Sequence, residues 1–194
     1  VLRRLGALVL TALFVTACAA HEEPVLYRAD YPQYENADAL FDRANLVVEA
    51  RIVGEPRYLQ EVSEPDPAET DPRLNPMAGA PAEVAAAQPD APPMVITVYT
   101  AQVLKVYKGE AQVGQKVEVK ELGGVFDGVT YEEEHTTALE EGSGYVLFLE
   151  TYPDSPAALL NPVQAKYPLD TANNPAPLPE NPIKLTRNQL ETMS

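Results

Sequence analysis

The densest run of groups able to hold a metal or move a proton is Glu132-Glu133-Glu134-His135. Neighbouring side chains on an extended chain alternate faces, so Glu132 shares a side with Glu134, and Glu133 with His135. Zinc sites use three or four converging ligands, and two from one strand fall short. Glu132, Glu134 and His135 are therefore weak metal candidates, and the plainer reading is a solvated acidic edge that discourages strand-to-strand association. Ser143 stands in Gly142-Ser143-Gly144, and the histidines are His21 and His135. A Ser143–His135 pair would be a nucleophile with its base. The serine stretch lacks the full Gly-x-Ser-x-Gly pattern and precedes a strand-like run rather than a helix, so it reads as a turn. Gly123-Gly124 and Gly128 lack the following Lys-Ser/Thr of a phosphate loop and serve to bend the chain tightly. Among 29 aspartates and glutamates nothing in the sequence selects a hydrolytic pair. No catalytic residue is assigned and no cofactor is called for.

A different chemistry is written near the beginning. Val15-Thr16-Ala17-Cys18 places a branched apolar residue and two small residues before the single cysteine of the chain. Upstream, Arg3 and Arg4 precede an apolar and small-residue run from Leu5 to Ala17, the layout of an export signal. That run is shorter than the ~20 residues a membrane-spanning helix needs. The motif resembles the lipobox of bacterial lipoproteins. The resemblance implies cleavage between Ala17 and Cys18, diacylglycerol on the Cys18 sulfur, and attachment to the extracytoplasmic face of a bacterial membrane through that lipid. Val1 is then read as a GTG start codon translated literally. Ala19, after the cysteine, is not the aspartate that signals inner-membrane retention.

Charge narrows the partners. The formal charge is −15, and loss of Arg3 and Arg4 with the signal takes it to −17. Phosphate backbones are met by lysine and arginine, so nucleic acid is disfavoured. Anionic lipid is disfavoured for the same reason, which leaves the Cys18 lipid as the membrane contact. With one cysteine, an intramolecular disulfide is ruled out.

The elements that carry these residues follow from periodicity and punctuation. Residues 1–17 are the signal and 18–35 a tether or irregular lead-in. A short helix is expected over 36–44, capped by Asn36 with Asp38 in its first turn. Leu46 to Gly54 alternates as a strand, with Leu46, Val48, Ala50 and Ile52 inward, and continues past a kink at Pro56. Residues 61–93 are rich in proline, alanine and acid, a composition that cannot offset its ordering entropy, and read as a disordered insertion that could order on a partner. Met94 to Gly109 carries the strongest strand signal, with a phase shift near Val106-Tyr107. Val117 and Val119 point inward on the next strand, Asp127-Gly128 turns a hairpin, and Tyr145 to Leu149 is a strand buried on both faces. Ala157 to Pro162 and Lys166 to Leu169 supply short edge pieces. Residues 170–194 read as a Pro-rich linker and a short helix with a Thr186/Gln189 capping box and a Leu185/Leu190 staple.

The fold class expected for 36–169 is all-β with small α content: a five- to six-stranded antiparallel OB-like barrel, with a short helix before its first strand and another at the C-terminus. The runs Arg43–Gly54, Tyr99–Gly109, Val117-Glu118-Val119 and Gly142–Leu149 resemble uncharacterised exported bacterial proteins. Those are similar to the OB-type barrel of tissue inhibitors of metalloproteinases and netrin modules. The resemblance covers roughly residues 37–150 and speaks to fold. Those inhibitors chelate zinc through a disulfide-bonded Cys-x-Cys at the mature N-terminus. Here Cys18 is followed by two alanines, so inhibition does not carry over. The function expected is a non-catalytic binding or interaction module of the cell envelope, with a protein or cell-wall partner. An envelope hydrolase would instead require an acid pair in a deep pocket with raised carboxylate pKa values. A calcium-stabilised surface protein would require acids converging at loop ends.

Overall fold

The computed structural model describes residues 23–61 and 94–194. Their elements are β1 (Val25–Tyr27), α1 (Ala37–Arg43), β2 (Leu46–Ile52), β3 (Arg57–Glu61), β4 (Met94–Lys108), β5 (Lys116–Leu122), β6 (Gly124–Phe126), β7 (Val129–Glu133), β8 (Gly144–Glu150), β9 (Ala157–Leu159), β10 (Lys166–Pro168) and α2 (Arg187–Met193).

The long strand β4 is the spine. Its β-branched and aromatic residues favour extended backbone, and its length lets one edge serve two partners. β2 pairs with its second half and β3 with its first, while β5 runs along the other edge. The first strand thus does continue past Pro56 along the same neighbour, after a break. The phase shift is present too. Val47 pairs with Lys108 and Val48 with Val106, which leaves Tyr107 unopposed as a bulge, and a second irregularity leaves Leu104 between Val103 and Lys105.

β8 joins the free edge of β2, β9 pairs with both β8 and β5, and the ring β8-β2-β4-β5-β9 closes into a five-stranded barrel. Strand direction cannot alternate all the way round an odd ring, so one pair must be parallel. β5 and β9 are that pair, and the other four pairings round the ring are antiparallel as expected. Inside and around it packs one core, from Leu40 and Phe41 of α1 through Val47, Val48, Val103 and Val119 to Tyr145–Leu149. The protein is an all-β, OB-like barrel with a short helix at each flank.

Both helices begin as the sequence predicts. The Asn36 side chain accepts from the Ala39 N–H at 2.8 Å. At the other end of α1 the Lys108 ammonium donates to the Phe41 and Asp42 carbonyls at 2.7 and 2.9 Å, which suits the negative end of a helix. The Thr186/Gln189 capping box is formed, with Leu185 and Leu190 buried beside it. Asp127 and Gly128 both have positive φ, as a two-residue hairpin turn with the right twist demands, and join β6 to β7.

Three expectations are corrected. The stretch after residue 23 is no tether: β1 pairs in parallel with β7, and Pro32 and Tyr34 bond through their backbones to the Asn161 and Gln164 side chains. Glu132 and Glu133 are not on an unpaired strand, because β1 pairs with β7 at both positions. Residues 170–182 are not a loose linker. Leu169 bridges to Pro175, and the Asn181 amide donates to the Val163 carbonyl at 3.2 Å. Arg187 then ties α2 to the outer face of β2 through Glu49 at 2.9 Å. Among the described residues no helix is long and apolar enough to cross a membrane.

Gly109, at φ +89°, has room for no side chain: a Cβ there would lie 2.3 Å from the Asn45 carbonyl oxygen. Gly114 has similar φ, +86°, and open space around it. Gly109→Ala should cost about 2–4 kcal/mol in urea unfolding, and Gly114→Ala about 1–2 kcal/mol, the left-handed backbone penalty alone. Equal losses would show that the α1–β4 junction is not tightly packed.

Candidate functional site

Strand alternation continues one residue beyond the apolar positions on two strands, and there the inward residue is a glutamate. On β5, Val117, Val119 and Glu121 share a side; on β7, Val129, Tyr131 and Glu133 do. Val119 and Tyr131 are buried, and so is Glu133, at 9 % exposure. Acids on an apolar face need a partner. β10 provides it for Glu121: Lys166, only 1 % exposed, sets its ammonium 2.5 Å from Glu121 Oε1. It also donates to the Thr137 carbonyl. The second Glu121 oxygen accepts the Leu139 N–H at 3.0 Å. Glu121 is therefore occupied on both oxygens.

Glu133 is less well provided for. The Tyr31 hydroxyl hydrogen-bonds to its carboxylate, yet Oε1 is buried with no hydrogen-bond partner among the described residues. Burial pushes the Glu133 carboxyl above its ordinary range, and the Glu121 charge adds to that, opposed by the Tyr31 bond and by Lys166. Two glutamates and one lysine leave one negative charge in excess when all are ionised. Tyr31 and Tyr99, both raised by burial first and by neighbouring glutamates next, stay protonated.

This cluster is flanked by hollows. A cleft of about 420 Å³ is walled by Tyr58, Thr97, Tyr99, Tyr131, Glu121 and Glu133. A smaller apolar hollow of about 260 Å³ reaches the same two glutamates past Tyr31, Met94 and Ile96. Lys166 opens onto another cleft, of about 380 Å³, with Arg51, Ser143 and Tyr145. The ion pair is thus part of the partition between two clefts. The glycines earn their place in the first: Gly124 lies against the Tyr58 ring and Thr97 hydroxyl, where a Cβ would come within 2.6 Å of each, and Gly123 accepts from the Thr97 hydroxyl at 2.7 Å.

The residues singled out from sequence fare unevenly. Glu132 is exposed on the wall of the 420 Å³ cleft. Glu134 is held by Arg28 through two bonds at 2.9 and 3.0 Å, which keeps its carboxyl below the usual range. β7 ends at Glu133, and His135 turns away at φ +64°, 3.8 Å from Glu180 and largely exposed. The alternation argument therefore stops short of it. Ser143 and His135 line different clefts. Among the described residues no group of three or more His, Cys, Asp or Glu could hold a metal ion, which leaves the calcium reading without a site there. Ala17 and Cys18 lie outside the described residues. Sequence reading passed over Lys166, Tyr31, Glu121 and Glu133 as a set. Alternation on β5 and β7 was the signal for the two acids. Lys166 and Tyr31 had none.

A carboxyl whose folded pKa is raised binds more protons in the folded than in the unfolded state between the two pKa values. Stability attributable to Glu133 is therefore highest below the unfolded value and is lost as pH rises through the folded one. Glu133→Gln should raise the thermal midpoint at pH 7 and change it little at about pH 3, below the unfolded carboxyl range. A gain of the same size at both pH values would mean that Glu133 is not ionised inside the neutral protein. Compared with known protein families, with characterised proteins and with solved structures, the chain matches none.

Proposed function

We propose that the protein is a membrane-anchored, extracytoplasmic lipoprotein whose barrel is a binding module of a bacterial cell envelope. The observation that carries the binding reading is the 420 Å³ cleft, walled by Thr97, Tyr99 and Glu121 of the barrel and by Tyr131 and Glu133 of β7. Its polar groups converge without a group poised to react. Of the three carboxylates that line this cleft, Glu132 is exposed to solvent, so a hydrolytic pair in a water-poor setting would have to be Glu121 and Glu133. Glu121, with Lys166 on one oxygen and the Leu139 N–H on the other, is not free to attack a substrate or to activate water. Anchoring rests on the Val15–Cys18 motif and the export layout before it.

Two experiments test the two halves. Expressed in a lipoprotein-processing bacterium with labelled palmitate, the wild-type chain should carry label and sediment with membranes. Cys18→Ser should lose both; label retained on the serine variant would overturn the anchor. For the module, Glu61 and Met94 are directly paired across β3 and β4, so residues 62–93 can be replaced by a two-residue Asn-Gly turn without disturbing the strands. Envelope material captured by the wild-type chain should be captured equally by that replacement, and lost with Thr130→Arg, a substitution at an exposed position of the cleft wall. Loss with the loop replacement and retention with Thr130→Arg would move the binding site to the insertion.

A further inference from the structure

We propose that the 420 Å³ cleft binds an alkylammonium group, presented by a free amine or by a lysine side chain of a partner. This rests on reading the cleft as the binding face, and adds the chemistry of what enters it.

Three observations converge. The first is charge: Glu121, Glu132 and Glu133 line the cleft, and among the described residues its lining holds no lysine or arginine. The nearby Lys166 is already committed to Glu121 and the Thr137 carbonyl, so the buried set carries one uncompensated negative charge when all three groups are ionised. The second is an orphan acceptor. Glu133 is nine-tenths buried, and its Oε1 has no hydrogen-bond partner among the described residues. Buried acceptors are nearly always satisfied, and one left over at a cleft calls for a donor. The third is the wall. Tyr58, Tyr99 and Tyr131 line it, Tyr58 the most exposed of the three and Tyr131 stacked on Tyr27 by one face, with Thr97 and Thr136 beside them. Aromatic faces attract organic cations, more strongly where water is excluded.

These features select among cations. A guanidinium is best held by two carboxylate oxygens in one plane, whereas the buried acceptor left unserved is the single oxygen Oε1 of Glu133, and Glu121 is filled on both of its oxygens. A compact ammonium, with three donors that rotate freely, suits one carboxylate oxygen and scattered hydroxyls. A hard metal ion would want several carboxylates converging, which the described residues do not supply. The net charge of −15 adds long-range attraction for any amine approaching the cleft.

The test is calorimetric titration of the full chain, in detergent and at about 0.15 M salt so that diffuse attraction is screened. The probes are spermidine and the blocked peptide acetyl-Gly-Lys-Gly-amide. The expected result is saturable one-to-one binding of one or both, weakened about tenfold or more by Glu133→Gln and by Thr130→Arg. Glu118→Gln, at a carboxylate paired with Arg57 outside the cleft, should change it less than about twofold. Spermidine alone binding assigns a free amine; the peptide binding assigns a partner's lysine. No binding of either probe, or equal losses in the Glu118 and Glu133 variants, overturns the proposal. If amines fail while envelope capture still depends on Thr130, the cation falls and the binding module stands.

Discussion

A lysine with almost no exposure, set between a carboxylate and a carbonyl, is the constraint around which this molecule is arranged. Lys166 arrives on the short strand β10, which reaches its place only because β8 offers an edge beyond the stretch used by β9. It meets Glu121 from β5 and the carbonyl of Thr137 from the connection between β7 and β8. Removing such an ion from water is expensive, and removing one partner of a buried pair typically costs about 3–5 kcal/mol because the other is stranded. The three segments are therefore bound to each other by a penalty for separation as much as by attraction. Glu133 rests at the margin of this arrangement with one oxygen unserved, and that imbalance gives the cleft its chemical character.

The barrel and the second sheet divide the work. Closure through β9 fixes β4 and β5 relative to one another, and hence Thr97, Tyr99 and Glu121. The β1-β7-β6 sheet brings Tyr131 and Glu133 to the opposite side. Gly123 and Gly124 let the two layers approach closely enough for Thr97 to bond across them. The lead-in contributes as well: β1 lies along β7, and the Tyr27 hydroxyl accepts from the Val95 N–H at 3.0 Å. Whatever is attached before residue 23 is thereby connected to the same layer that holds Glu133.

Much of this was legible in the chain, and the part that was not shares a cause. β4, β5 and β8 announce themselves because they are long enough to show alternation or unbroken burial, and the Tyr107 bulge, the Asp127-Gly128 turn and the Thr186 capping box are local events with local residues. β1 has three residues, too few for a period, and its existence depends on a partner far away in sequence; β10, equally short, is expected as an edge piece at Lys166 to Leu169, but its partner is not. Tyr31 and Lys166 look like ordinary surface residues until β7 and β8 are placed beside them. Residues 170–182 look like a linker because asparagine, proline and alanine carry no burial pattern. Their order comes from backbone and amide hydrogen bonds such as those of Asp170 and Asn181. The acids were the intermediate case. Extending the period of Val117 and Val119 by two residues lands on Glu121, and the same step from Tyr131 lands on Glu133.

The direct pairing of Glu61 with Met94 has a consequence for how such a chain can vary. Two residues paired at one rung hold the register of their strands by themselves, and for a flexible connection each doubling of length adds only about 0.6 kcal/mol of closure entropy. The alignment of β3 on β4 is thus not set by how many residues lie between those two positions. Length and composition there can drift, or be selected for a separate purpose, while the strands on either side keep their register.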